Sequence, residues 1–170
     1  MTEILKITIP ALLVLITAFF LLHKLLRNEN ERRKFELKTR IAPETIKIRL
    51  QAYERLALLL ERTNPATLIL SLITPGMKSL ELQKELLSQI RTEFSHNISQ
   101  QIYISDELWN ALKIVQENLL KVVNISAEEF ENNASATELA EKIISVYNAN
   151  SANPTTIAIS MLKKEVRELI

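Results

Sequence analysis

A single glycine, Gly76, serves the whole chain of 170 residues, and that scarcity excludes most folds built on tight backbone turns. Neither the dinucleotide fingerprint nor a phosphate-cradling loop can form, since each needs several glycines where backbone turns sharply or meets phosphate. Five prolines and an aromatic content of 5% also point away from a sandwich or barrel, whose strands draw on aromatic and β-branched residues. The absence of cysteine removes disulfides, thiol nucleophiles and thiolate zinc sites together. An all-α protein is the expectation, with a length suited to one domain and an appendage.

The appendage is N-terminal. From Ile7 to His23 seventeen residues carry no formal charge when His23 is neutral, and as a helix they reach roughly 26 Å at ~1.5 Å per residue. Ile4, Leu5, Leu25 and Leu26 extend that length towards the ~30 Å of a hydrocarbon core, while Lys6 and Lys24 can snorkel to the interfaces. A buried core helix would show a polar face, and none appears between Ile7 and Leu22. A cleavable signal peptide would need a small-x-small site after the apolar run, where His23 and Lys24 stand instead. The sequence therefore predicts an uncleaved anchor over residues 1–27.

Residues 24–40 hold seven basic side chains (Lys24, Arg27, Arg32, Arg33, Lys34, Lys38 and Arg40) against Glu29, Glu31 and Glu36. Positive-inside logic then places the N-terminus outside and the C-terminal part in the cytoplasm. Residues 28–42 are expected as a basic juxtamembrane helix continuing the anchor. Lys24, Arg27, Arg32, Arg33 and Lys34 are its candidate lipid headgroup contacts, weighed evenly against a plain topology signal.

Ala42-Pro43-Glu44 marks a break, after which residues 43–170 read as a helical domain. Ile46, Leu50, Tyr53, Ala57 and Leu60 step by 4, 3, 4, 3 and predict one helical face. Asn64-Pro65 ends that helix; by periodicity the short apolar run Thr67 to Ile73 fits a strand or a buried helical turn, and Asn64 as cap with Pro65 at the first position tilts it to helix. Thr74-Pro75-Gly76 predicts a turn with positive φ at Gly76. A third helix is expected over about Ser79 to Gln101, with Leu86, Leu87, Ile90, Phe94 and Ile98 on one side. Ser105, Asp106 and Glu107 signal the next start, and its seam is Leu108, Leu112, Val115, Leu119 and Val122, with Trp109 beside it. Ser126 with Glu129 and Ser135 with Glu138 both match the capping box, and the second leads into Leu139, Ile143 and Val146. Asn153-Pro154 opens a last helix with Ala158, Leu162, Val166 and Leu169.

Residues 41–170 carry thirteen basic and sixteen acidic side chains, a balance that argues against nucleic acid as a partner. Glu93 and His96 share the spacing of di-metal carboxylate bundles, but the second copy such a site requires is missing. No catalytic nucleophile arrangement is recognisable, so no catalytic, metal or cofactor residues are assigned. The sequons at Asn97, Asn124 and Asn133 are chance matches in a cytoplasmic domain. Two polar groups stand out among apolar neighbours. Arg49, Tyr53, Arg55 and Tyr103 are the candidate interface, since Arg and Tyr combine contact area with directional hydrogen bonds; Tyr53 is alternatively a core residue. Glu93, His96, Asn97, Gln100 and Gln101 are a candidate polar network, weighed against ordinary solvated helix faces.

At these residues the chain resembles a family of unknown function comprising single-pass membrane-anchored proteins of Bacteroidota. The likeness rests on Met1-Thr2-Glu3-Ile4-Leu5-Lys6-Ile7 and the anchor, Leu50-Gln51-Ala52-Tyr53-Glu54-Arg55-Leu56, and Pro75-Gly76-Met77. It continues at Glu93-Phe94, at Ser99-Gln100-Gln101-Ile102-Tyr103 and at Trp109. The resemblance implies a bacterial inner-membrane protein with a helical cytoplasmic domain, and it supplies no activity or site.

The expected function is a non-catalytic adaptor or accessory subunit of an inner-membrane complex. It would contact membrane lipid and a protein partner, or form a homo-oligomer. The rival is a membrane-tethered enzyme or small-ligand module using the Arg49/Tyr53 and Glu93/His96 faces.

Overall fold

Four helix starts of this chain are set by a side chain lying just ahead of them and one by a glutamate in its own first turn. The computed structural model describes residues 19–21, 23, 24, 29, 44–149 and 153–169. After α1, residues 44–62, Asn64 Oδ1 accepts from the Ala66 N–H at 3.0 Å. Pro65 then opens α2, Pro65–Leu72, at a position where its missing N–H costs nothing. The Lys78 N–H is satisfied by the Glu81 carboxylate at 3.1 Å at the start of α3, Ser79–His96. Ser105 Oγ accepts from the Leu108 N–H at 3.1 Å to open α4, Asp106–Ala127, whose first turn holds Asp106 and Glu107. Ser135 Oγ accepts from the Thr137 N–H at 3.2 Å ahead of α5, Ala136–Ala149. Asn153 Oδ1 accepts from the Thr155 N–H at 2.9 Å ahead of α6, Pro154–Leu169.

The chain divides into two units, Met1–Thr45 and Ile46–Ile170. In the first, residues 19–21, 23, 24 and 29 are helical. The Phe19 ring meets Phe20 edge-on at 6.3 Å between centroids and stacks on His23 at 6.2 Å. Most of the expected anchor and juxtamembrane helix lies outside the described residues. Among the described residues no helix is long and apolar enough to cross a membrane.

The second unit is helical throughout its ordered elements. Among the described residues, extended backbone pairs only in an isolated antiparallel bridge between Lys78 and Ser135. That bridge follows from Gly76, whose φ of 83° lets the Met77 N–H reach the Thr74 carbonyl at 3.1 Å. The chain leaving the turn is then clamped to the α4–α5 loop. The Ser79 N–H donates to the Ala134 carbonyl at 2.9 Å and the Ala136 N–H to the Met77 carbonyl at 3.2 Å, while the Ser79 hydroxyl donates to the Glu131 carbonyl at 2.8 Å.

Helix α4 is the hub, packing on α3, α5 and α6, while α2 packs on α3 and α5. All five expected seam residues of α4, Leu108, Leu112, Val115, Leu119 and Val122, are buried. Each such side chain contributes about 1.5–3 kcal/mol on leaving water. They meet Leu82, Leu86, Ile90 and Phe94 of α3, Leu139 and Ile143 of α5, and Ala158 and Leu162 of α6 in one core. Gln83 Nε2 donates to Asn124 Oδ1 at 3.1 Å near one end of the α3–α4 pair. Phe94 and Trp109 border one groove near the other, so the two helices run antiparallel.

Three expectations are corrected. In α1 the core-facing side is Ala52, Tyr53, Leu56, Leu59, Leu60 and Thr63, whereas Ile46 is exposed and Leu50 and Ala57 are half-buried. Two overlapping apolar stripes share Tyr53 and Leu60, and packing selects the one that also buries Leu56 and Leu59. Helix α3 stops at His96 rather than Gln101. Asn97 leaves helical geometry at φ −104°, ψ 5°, its Nδ2 donating to the Glu93 carbonyl at 2.9 Å, and a 3-10 segment Ile98–Tyr103 follows. Ser126 is no cap. It lies in the last turns of α4, fully buried, with its hydroxyl unpartnered among the described residues.

Candidate functional site

Arg49 and Tyr53 stand one turn apart on α1, so their side chains share a face. The face meets the chain between the 3-10 segment and α4, and also α6. Arg49 Nε donates to the Tyr103 carbonyl at 3.0 Å, and Arg49 Nη2 donates to the Tyr53 hydroxyl at 2.8 Å. The guanidinium carbon also sits 5.8 Å from the centroid of the Tyr53 ring, within cation–π range. The Tyr53 hydroxyl in turn donates to Glu165 Oε2 at 2.9 Å. Glu165 also accepts the Ser105 hydroxyl at Oε1 and, at Oε2, the Ser105 N–H at 3.4 Å. A cation, a phenol and a carboxylate thus form a relay that ties α1, the start of α4 and α6 together.

Burial favours the neutral phenol. Burial raises the Tyr53 pKa above 10.0, and the Glu165 hydrogen bond and negative charge raise it further against the lowering influence of Arg49. Tyr53 is only 2% exposed, which makes it a core residue and removes it from any surface offered to a partner. Arg55 is exposed and outside the relay. Of the candidate interface, the structure therefore joins Arg49, Tyr53 and the Tyr103 carbonyl, as a clasp inside the domain. A cleft of about 310 Å³ opens beside it, bordered by Arg49, Ser105, Glu165, Glu168 and Leu169.

The five residues of the candidate polar network are not brought into one network. Glu93 faces Arg62 at 3.9 Å, Asn97 closes the end of α3, and Gln100 Nε2 donates to its neighbour Ser99 at 3.2 Å. His96 and Gln101 are exposed. The reason is the helix stop at Asn97, which turns residues 98–103 off the α3 face. Among the described residues no three His, Asp or Glu side chains converge as a metal site. Of the candidate headgroup contacts, Lys24 is exposed, and Arg27, Arg32, Arg33 and Lys34 lie outside the described residues.

The same stop opens a second feature. Between the C-terminal half of α3 and the first half of α4 lies a groove of about 330 Å³. Phe94 and the half-buried Trp109 form its apolar wall, and Ile98, 57% exposed, its lip. Arg91 and Lys113 stand on either side, with Gln101 and Gln116. Four residues on in the 3-10 segment, Ile102 is 71% exposed.

A family model described as "Family of unknown function (DUF7935)" matches residues 1–169. The chain belongs to this family. The DUF7935 match runs through the N-terminal apolar stretch and the helical domain without interruption, so both are parts of one family architecture. No curated protein and no solved structure matches the chain.

Sequence reasoning missed Glu165 and Ser105 as members of the clasp, and Arg91 and Lys113 as the flanks of the groove. Ser105 reads in the sequence only as a cap, a role it keeps while its hydroxyl donates a hydrogen bond to Glu165. Nothing in the α6 pattern separates Glu165 from Glu168. Arg91 and Lys113 look like any cation on a solvated helix face until α3 and α4 bring them to one groove.

Proposed function

We propose that this DUF7935 chain is a non-catalytic adaptor or accessory subunit. In this reading a single N-terminal span holds it in a bacterial inner membrane, with the N-terminus outside and the helical domain in the cytoplasm. The uncharged run from Ile7 to His23 and the seven basic residues that follow it support the anchor and its orientation. Basic residues from Lys24 to Arg40 then lie at the anionic headgroups of the inner leaflet. The observation that carries the adaptor reading is the groove between α3 and α4. Ile98 keeps a large apolar side chain in water on the groove that Trp109 lines, a combination of aromatic anchor and exposed apolar rim suited to a protein interface.

The cleft beside the clasp favours a second reading, a membrane-tethered enzyme or small-ligand module, because Arg49, Ser105 and Glu165 converge there. Those groups already satisfy one another, which weakens it. Purification of the full-length chain in mild detergent separates the two readings. A stoichiometric membrane-protein partner is expected for the adaptor, whereas a monomer carrying a bound metabolite would replace it with the second reading.

A further inference from the structure

We infer that the α3–α4 groove binds an acidic amphipathic helix of a partner protein; this rests on the adaptor reading and names the chemistry of the partner. The charge of the groove sets the sign. Arg91 and Lys113 are both exposed, both border the groove, and no carboxylate does. Neither cation has an ion-pair partner among the described residues, whereas Arg62, Lys142 and Lys164 each face a glutamate. The domain around them is net acidic, with sixteen acidic against thirteen basic side chains over residues 41–170, so the groove is a locally positive site; a second basic stretch, Lys163, Lys164 and Arg167 on α6, has Glu168 beside it. Complementarity of this kind selects a partner by sign and by on-rate.

The shape argues for a helix. Among the described residues there is no strand that could offer an edge to an extended peptide, whereas a furrow between two antiparallel helices accepts a third through its apolar face. Trp109 and Gln116, both on the groove, are seven residues apart, about 10 Å along α4 at ~1.5 Å per residue. That span matches two turns of a docked helix with apolar residues at i, i+3 or i+4, and i+7. Its apolar side chains would meet Trp109, Phe94 and Ile98, and glutamates or aspartates flanking them would reach Arg91 and Lys113. The Arg91 guanidinium can take a carboxylate in two-pronged fashion, and Gln116 offers an amide beside it.

Trp109 is the only tryptophan in the chain, so its emission reports on the groove. The full-length chain in zwitterionic nanodiscs is titrated with a synthetic helical peptide carrying a leucine seam flanked by glutamates. The same peptide with lysine in place of glutamate is the control. The expected result is a saturable shift of Trp109 emission with at least tenfold preference for the glutamate peptide, weakened by salt. The double variant R91E/K113E, altered at two exposed positions and checked by its melting curve, should reverse that preference by tenfold or more. Binding indifferent to peptide charge, or absent, overturns the inference. So does a saturable shift with an alkyl carboxylate that neither peptide displaces, which would make the groove a site for a small amphipathic anion. If R91E/K113E and the wild-type chain purify with the same stoichiometric partner, the groove assignment fails and the adaptor reading stands. If the wild-type chain purifies with no partner, the adaptor reading itself fails.

Discussion

The Tyr53 hydroxyl reaches Glu165 at 2.9 Å across 112 residues of sequence, which ties the first helix of the domain to the last. The contact is polar on both sides yet sits against the core, where Tyr53 is fully packed. Removing one member takes a hydrogen bond from its neighbours, although Arg49 keeps the Tyr103 carbonyl and Glu165 keeps Ser105, so the cost is that of charge-assisted bonds lost.

Tyr53→Phe keeps the ring and deletes the relay. Arg49 loses an acceptor and Glu165 a donor, so a loss of about 1–3 kcal/mol in unfolding free energy is expected in chemical denaturation. Glu165→Ala should cost a similar amount. The double variant should fall short of the sum by about 0.5 kcal/mol or more, since both single changes break the same contact. Strict additivity would show that the two groups do not act together.

Tyr53 also predicts an alkaline limb. Its pKa is raised in the folded protein, so above about pH 10 the unfolded chain releases a proton that the folded chain retains. The stabilisation is complete below that pH and is lost as pH rises towards the folded value. Melting curves of the wild-type chain between pH 9 and 11 should fall more steeply than those of Tyr53→Phe. Parallel curves would remove Tyr53 as the source.

Ser126 is the converse case, a fully buried hydroxyl with no partner among the described residues. Ser126→Ala deletes an unsatisfied group and adds helix propensity. The variant should be more stable by about 1 kcal/mol, read as a higher denaturant midpoint at unchanged slope. A loss of stability would show that the hydroxyl finds a partner after all.

Gly76 tests the turn. Its φ of 83° is left-handed, and an added Cβ would meet nothing within 4 Å, so Gly76→Ala costs backbone strain alone, about 1–2 kcal/mol. Gly76→Asn should cost less, because asparagine tolerates that region. Equal losses would point to a cause other than φ.

Helix α4 was legible because its signals are local: an oxygen cap at Ser105, two acids in the first turn and an unbroken 4-3-4-3 seam. Asn64-Pro65, Gly76 and Asn153-Pro154 were legible for the same reason. The face of α1 was not, since two apolar stripes overlap there and only packing chooses between them. Asn97 reads in the sequence as one polar residue among several on a helix running to Gln101, and only in the fold does its side chain close α3 and turn Ile98 off that face. The clasp lay beyond sequence reasoning. Arg49, Tyr53 and Tyr103 stood out as a group, but Glu165 enters only once α6 folds back on α1.

The most direct test of the interface is site-specific photo-crosslinking in cells, with the probe at Ile98 on the groove lip or at Ile157 on α6. The two positions are similarly exposed, at 57% and 52%, so exposure alone does not distinguish them. The account predicts one discrete protein adduct from position 98, lost in R91E/K113E, and none from position 157. Equal adducts from both positions, or none from position 98, would contradict it.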